Sequence, residues 1–215
     1  MMARRLLVDW AESSRAALGE STLGDMCLVE QSHEGVLVAL ADGLGHGEHA
    51  AAAARRSIVI LRRSPGDNIL SLIEECHEHL RGSRGVVMSL ASINAEDGTM
   101  TWAGVGNVEA RLFHRCEDGG YTRESLMLRA GVVGYRMPGL RSSTVTVSPG
   151  DVIILASDGV SNGFEEGLNL DEPVKLIAEN ILAEKGKLTD DVLVLVVRFL
   201  GNLLPDVNKS GGPST

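Results

Sequence analysis

Large rings are nearly missing from this chain, which has two tryptophans, two tyrosines and three phenylalanines among 215 residues. A core built on aromatic side chains is excluded, so Val, Ile, Leu and Ala must supply the packing. Cysteine is also scarce: Cys27, Cys76 and Cys116 lie far apart, with no CxxC pair. An odd count without spacing logic excludes a disulfide framework and points to reduced thiols acting as small hydrophobes. Cys76-His77 with His79 does not make a zinc site, because Ile69, Ile73, Cys76 and Leu80 fall at helical spacing and no second ligand pair follows. No apolar run approaches the roughly 20 residues that cross a bilayer. Positive charge is in deficit, with 20 basic against 29 acidic residues and a net charge of −9. That balance argues against a nucleic-acid backbone or an anionic membrane as partner. The opening MMARRLLVDWAESSR lacks a long apolar core and a small-residue cleavage site, so a cytoplasmic protein is expected.

What the chain does have is acid at the ends of apolar runs. Val36 to Ala41 leads into Asp42-Gly43, and Val152 to Ala156 leads into Ser157-Asp158-Gly159. Asp190-Asp191 opens the run Val192 to Val197, and Asp25 stands just before another apolar stretch. Short β-branched runs of this kind read as buried strands, so a carboxylate at each strand end can reach one shared point. Carboxylates gathered there repel one another unless something positive lies between them, and hard, oxygen-seeking cations such as magnesium or manganese suit such a set.

Strands are expected over 26–31, 35–41, 85–94, 99–105, 108–114, 143–147, 151–156 and 191–199. Several neighbours are joined by turn signals, including Ala95-Glu96-Asp97-Gly98 and Ser148-Pro149-Gly150-Asp151, which implies antiparallel pairing. Helices are expected after Gly47 through EHAAAAARRSIVILRR, from Asp67 as N-cap to Gly82, and from Asp171 to Gly186 with Val174, Ile177, Ala178 and Ile181 buried. Paired strands with a few long amphipathic helices indicate a layered α+β domain. Residues 203–215, polar and rich in Gly, Pro and Ser, read as a loose tail. Segment 115–142 mixes charge, glycine and apolar residues, and reads as either a substrate-facing loop or a long hairpin excursion.

The loop Asp42-Gly43-Leu44-Gly45-His46-Gly47 holds three glycines before a helix. It can be a metal site, with the Gly43 carbonyl joining the Asp42 side chain as an oxygen ligand. It can also be a tight turn with Asp42 as N-cap, or a phosphate cradle at a helix N-terminus. A P-loop is excluded by the missing Lys-Ser/Thr, and the glycine spacing is not GxGxxG.

ADGLGHG with the following alanines, GVGNVEARLF, LASDGV and TDDVLVLVV occur in the order of the motifs of the metal-dependent protein phosphatases (PPM, or protein phosphatase 2C, family). The ADGLGHG form and compact size resemble the bacterial SpoIIE-type branch. The resemblance spans residues 18–200, setting off an N-terminal segment 1–17 and a flexible tail 201–215. It implies a four-layer α-β-β-α sandwich of two antiparallel sheets flanked by helix pairs. It also implies two divalent metal ions, manganese or magnesium. Asp42 would bridge them, Gly43 would offer its carbonyl, Asp158 and Asp190 would hold one, and Asp25 would lie near the other. Asp191 ranks below Asp190. The implied activity is hydrolysis of phosphoserine or phosphothreonine by a metal-activated water, on phosphorylated STAS-domain proteins of a stressosome-like complex.

The chain departs from that family pattern in three places. Ser21 stands near the place where many members carry a phosphate-binding arginine. Leu44 stands where many have a histidine, and His46, two residues on, reads as a loop residue. Asn107 replaces an aspartate that serves a third metal in some members, so no third site is expected. Two other classes remain as competitors: a non-catalytic binding module on the same fold, and a GHKL-type ATPase, for which an ExxxN helix is lacking.

Overall fold

The structure, a computed structural model, describes residues 6–32 and 35–201. Among the described residues, ten strands form two five-stranded antiparallel sheets. One contains β1 (Val8–Arg15), β10 (Val192–Phe199), β9 (Val152–Ala156), β6 (Glu109–Arg115) and β7 (Tyr121–Ser125), in that order. The other contains β2 (Asp25–Gln31), β3 (Gly35–Gly43), β4 (Val86–Asn94), β5 (Thr99–Val105) and β8 (Ser143–Thr146).

The sheets pack face to face, and the strand period of two decides which residues meet there. Val36, Val38 and Leu40 of β3 share a core with Ile153 and Leu155 of β9 and with Leu193, Leu195 and Val197 of β10. Trp102 fills the same layer. The alternate residues face helices. Leu37, Ala39 and Ala41 pack under α1 (Glu48–Arg63) and α2 (Ile69–Leu80), while Ile154, Val194 and Val196 pack under α3 (Val174–Lys185). Central strands are thus covered on both faces, which is why they read as unbroken apolar runs rather than alternating ones.

The expected four layers are present, with one difference. A helix pair covers the β2–β8 sheet, but α3 is the only helix over the β1–β7 sheet among the described residues. The N-terminus of α2 also differs: Asn68, not Asp67, is its cap, and accepts a hydrogen bond from the Leu70 N–H at 2.9 Å.

Two strands escaped the sequence reading. Inside segment 1–17, Val8–Arg15 pairs along its full length with β10. As an edge strand covered on one side it needs few apolar residues, and VDWAESSR shows little periodicity. Strand β7, YTRES, is almost wholly exposed and is held by pairing with β6. It occupies the first part of segment 115–142. Of the expected tail, residues 202–215 lie outside the described residues. No helix among the described residues is long and apolar enough to cross a membrane.

Burial on both faces has a direct consequence. Ile154→Ala and Leu155→Ala, neighbours that point to opposite layers and are both fully buried, should each lower unfolding free energy by about 2–5 kcal/mol in urea titrations. In a sheet with one solvated face, one of the two would be nearly neutral.

Candidate active site

The acidic residues meet at one end of the sandwich, where the two sheets open. Asp42 is the penultimate residue of β3 and sits directly opposite Asp25 of β2 in the ladder. Both share the face that carries Leu40 and Cys27, so both carboxylates point between the sheets rather than toward the helices. From the other sheet come Asp158, just past β9, and Asp190, just before β10. Asp42, Asp158 and Asp190 line one pocket of about 550 Å³. Asp25 lies behind Asp42, only 3% exposed.

The loop after Asp42 is drawn tightly onto its surroundings. Gly43 N–H donates to the Gly24 carbonyl at 3.3 Å, and Leu44 N–H donates to the Gly85 carbonyl at 3.1 Å. A Cβ at Gly43 would stand 2.1 Å from the Ala50 carbonyl oxygen of α1, so only glycine lets the strand end lie this close to the helix. The N-cap of α1 is Gly47, with φ of 73° and no side-chain cap bond. Asp42 is therefore not used in capping, and the tight-turn alternative for its carboxylate drops out.

Asp158 is held by two groups the sequence reading did not assign to it. Asn107 Nδ2 donates to Asp158 Oδ2 at 2.6 Å, and Lys187 Nζ donates to the Asp158 carbonyl. The two acids at 190 and 191 take different positions. Asp190 faces the pocket, whereas Asp191 is buried and accepts hydrogen bonds from the Ala17 N–H at 2.9 Å and the Gly24 N–H at 2.8 Å. Asp191 thus ties the loop before β2 to the start of β10. Ser157, also buried, locks β9 to β10 by accepting from the Leu193 N–H at 2.9 Å.

The opposite wall comes from segment 115–142. Its Ala130, Gly131 and Val132 line the pocket together with Val87 and Gly106. Arg129 backbone groups bond to Gly104 and Gly106, and Val133 pairs with Val86 in both directions. The segment is therefore β-strand first and pocket wall afterwards. Nothing in its composition separates the two, because the wall is held by main-chain bonds. His46 stands on the rim, its Nδ1 2.7 Å from Glu20 Oε1.

Electrostatics follow from burial and crowding. Burial first, then repulsion from Asp25, Asp158 and Asp190, pushes the Asp42 carboxyl up to about 9. Burial likewise pushes Asp25 up to about 7, opposed by a hydrogen bond from Ser157 and reinforced by Asp191, Asp158 and Asp190. Asp190 is raised by burial and by Asp158. Asp25 Oδ2 is buried without any hydrogen-bond partner. Among the described residues, no three His, Cys, Asp or Glu side chains already close on one point as a cage. Carboxylates spread around an open pocket instead suit cations that keep water and substrate oxygens as ligands.

A family model described as Stage II sporulation protein E (SpoIIE) matches residues 32–200. The chain belongs to the SpoIIE family. It is a phosphatase domain of the PP2C type, an enzyme of the metal-dependent phosphoprotein phosphatase class, and the family fold is the one described above. The phosphoserine phosphatase RsbX of Bacillus subtilis (strain 168) is 25% identical over 143 residues, covering 66% of this chain and 70% of RsbX. A protein of the bacterial stressosome, a system adapted to control secondary messenger signalling, is 28% identical. It has a TM-score of 0.80, with 89% of this chain and 99% of that one covered. RsbX in complex with magnesium has a TM-score of 0.79 at 20% identity, over 92% of this chain and 98% of RsbX.

Burial and crowding at the acid corner should be visible as pH-dependent stability. In chelator, the protons on Asp25 and Asp42 stabilise the fold in full below about pH 4. That contribution is lost as pH rises through about 7 for Asp25 and about 9 for Asp42. The metal-free protein should therefore lose thermal stability between about pH 5 and 9. Near pH 8, Asp42→Asn should melt ~3 °C or more above the metal-free parent. Magnesium should raise the parent and leave the variant nearly unmoved. A parent Tm independent of both pH and magnesium would contradict the reading of this corner.

Proposed function

We propose that the pocket hydrolyses phosphoserine or phosphothreonine esters on a protein, using two divalent ions, magnesium or manganese. Asp42, the Gly43 carbonyl, Asp158, Asp190 and Asp25 would hold them. The observation that carries this reading is the buried, unpartnered Oδ2 of Asp25 directly across the ladder from Asp42. A carboxylate oxygen kept there without a hydrogen bond costs free energy unless a cation reaches it. The donors are all carboxylate or carbonyl oxygens, which favours magnesium or manganese over zinc.

When bound, such ions supply positive charge that lowers the pKa of a coordinated water and offsets charge on phosphoryl oxygens. The protein's own groups set the geometry. Asn107 fixes the rotation of the Asp158 carboxylate, and Lys187 fixes the backbone beneath it. The Asp191 N–H donates to Asp190 Oδ1 at 2.9 Å, turning that side chain toward the pocket. Ala130, Gly131 and Val132 close one side with apolar atoms and limit water around the bound ester.

The substrate we propose is a phosphorylated STAS-domain protein of a stressosome-like complex, on the strength of the similarity to RsbX and to the stressosome-system protein. A cytoplasmic setting goes with that partner.

Purified protein should release phosphate from p-nitrophenyl phosphate and from a phosphoserine protein only with magnesium or manganese present. Asp42→Asn should lower kcat by about 10²-fold or more, with an unchanged circular dichroism spectrum. A phosphorylated STAS domain should be a better substrate than an unrelated phosphoprotein. Full turnover in excess chelator would reject the mechanism, and absent turnover with a folded, metal-loaded protein would favour a binding module.

A further inference from the structure

Beside the acid pocket lies a second hollow, of about 490 Å³, lined by His49, Ala52, Ala53 and Arg56 of α1 and by Gly82, Ser83 and Arg84. It is basic where the first is acidic. On α1, His49 and Arg56 are seven residues apart and share one face, with Ala52 and Ala53 between them on it. Arg56 and Arg84 have no acidic partner among the described residues, whereas Arg55 and Arg62 on the same helix pair with Glu48 and Glu30. Two unpaired guanidinium groups facing a cavity stand out in a chain of net charge −9.

Arg84 also joins the two hollows. A Cβ built at Gly45 would lie 2.5 Å from Arg84 Nη1, so the guanidinium packs directly against a residue that lines the acid pocket. The backbone on either side is fixed by the Leu44 N–H bond to the Gly85 carbonyl. Among the described residues, no arginine or lysine lines the acid pocket itself. A ligand extending from that pocket over Gly45 meets Arg84 as its first cation.

We propose that Arg84, with Arg56 and His49 behind it, forms an oxyanion subsite that receives an acidic group of the substrate protein flanking the phosphorylated residue. This rests on the phosphoprotein reading above and adds a preference for acidic surroundings. A carboxylate and a second phosphate share the required chemistry, since either matches the planar fork of a guanidinium.

The test uses peptides in which a methylene phosphonate replaces the phosphoserine ester, so that nothing is turned over. Three versions carry neutral flanks, glutamates on both flanks, or a second phosphoserine, and their Kd values are measured by fluorescence anisotropy with magnesium present. The acidic versions should bind the parent about fivefold more tightly than the neutral one, an advantage that shrinks with added salt. The advantage should vanish in Arg56→Ala/Arg84→Ala, whose unfolding curve confirms that it is folded. Whichever acidic peptide gains more identifies the preferred oxyanion. Equal binding of all three by the parent, or an advantage that survives in the double variant, overturns the subsite. Hydrolysis of the neutral phosphoserine peptide is followed separately. Its absence would reject the phosphatase reading, while the anisotropy series still decides whether the basic hollow binds anions.

Discussion

Burial of carboxylates crowded against one another is the constraint on which the rest of this structure depends. Asp25, Asp42, Asp158 and Asp190 are brought to one corner, where burial and then crowding raise Asp25 and Asp42 far enough that the two cannot both ionise at neutral pH without a positive partner. Asp25 has the least freedom of the four, being buried and directly paired across the ladder with Asp42. The corner can be neutralised by protons or by cations. Under the proposed function, protons would leave it inert toward a phosphate ester, whereas cations would turn the same constraint into affinity for one. In the proposed site, the free energy stored by burying and crowding the acids would be the source of the affinity for metal.

Two packed antiparallel sheets are well suited to building such a corner. In each central strand, one set of alternate side chains meets the opposite sheet and the other set meets a helix. Where an inward set runs past the end of the apolar core, the next inward side chain faces the gap between the sheets. Asp42 follows Leu40 in this way on β3, and Asp25 precedes Cys27 on β2. The supporting bonds are just as specific. Asp191, one residue from Asp190, continues the inward register of β10 and binds the backbone at Ala17 and Gly24. One acid of this adjacent pair lines the pocket, and the other holds together the loop that delivers Asp25.

Much of this was legible in the sequence because burial on both faces leaves a strong trace. Runs such as Val36–Ala41 and Val192–Val197 have no use for polar residues, so an aspartate at the boundary marks a change of environment. The alanine-rich segment after Gly47 was equally plain, since its helix must lie close to the strand end at Gly43. Strands β1 and β7 left weak traces because each lies at a sheet edge, where pairing needs backbone but little apolar surface. The pocket wall at Ala130–Val132 left none, being fixed by main-chain bonds to β4 and β5 that any composition could make. Lys187 was hidden for a related reason: its contact is with the Asp158 carbonyl, a group present at every residue. Assigning two helices to each outer layer went beyond the residues, for α3 was the only helical pattern on that side.

The acid pocket and the basic hollow beside it divide recognition between them. A metal-loaded acid corner attracts any phosphate ester, because its field is set by the ions rather than by the substrate's sequence. Discrimination must therefore come from groups that touch the substrate away from the phosphorus. The apolar wall at Ala130–Val132 can select for shape but not for charge. Arg84 is placed to do the latter, against Gly45 and facing a cavity open enough for a side chain. Charge screening over roughly 8–10 Å keeps the chain's net negative charge from cancelling this local field. Under that proposal, an acidic phosphoprotein repelled by most of the surface is drawn in at the rim where Arg56 and Arg84 lack acidic partners among the described residues. Repulsion elsewhere then sharpens selectivity, since a misplaced acidic segment meets carboxylates instead.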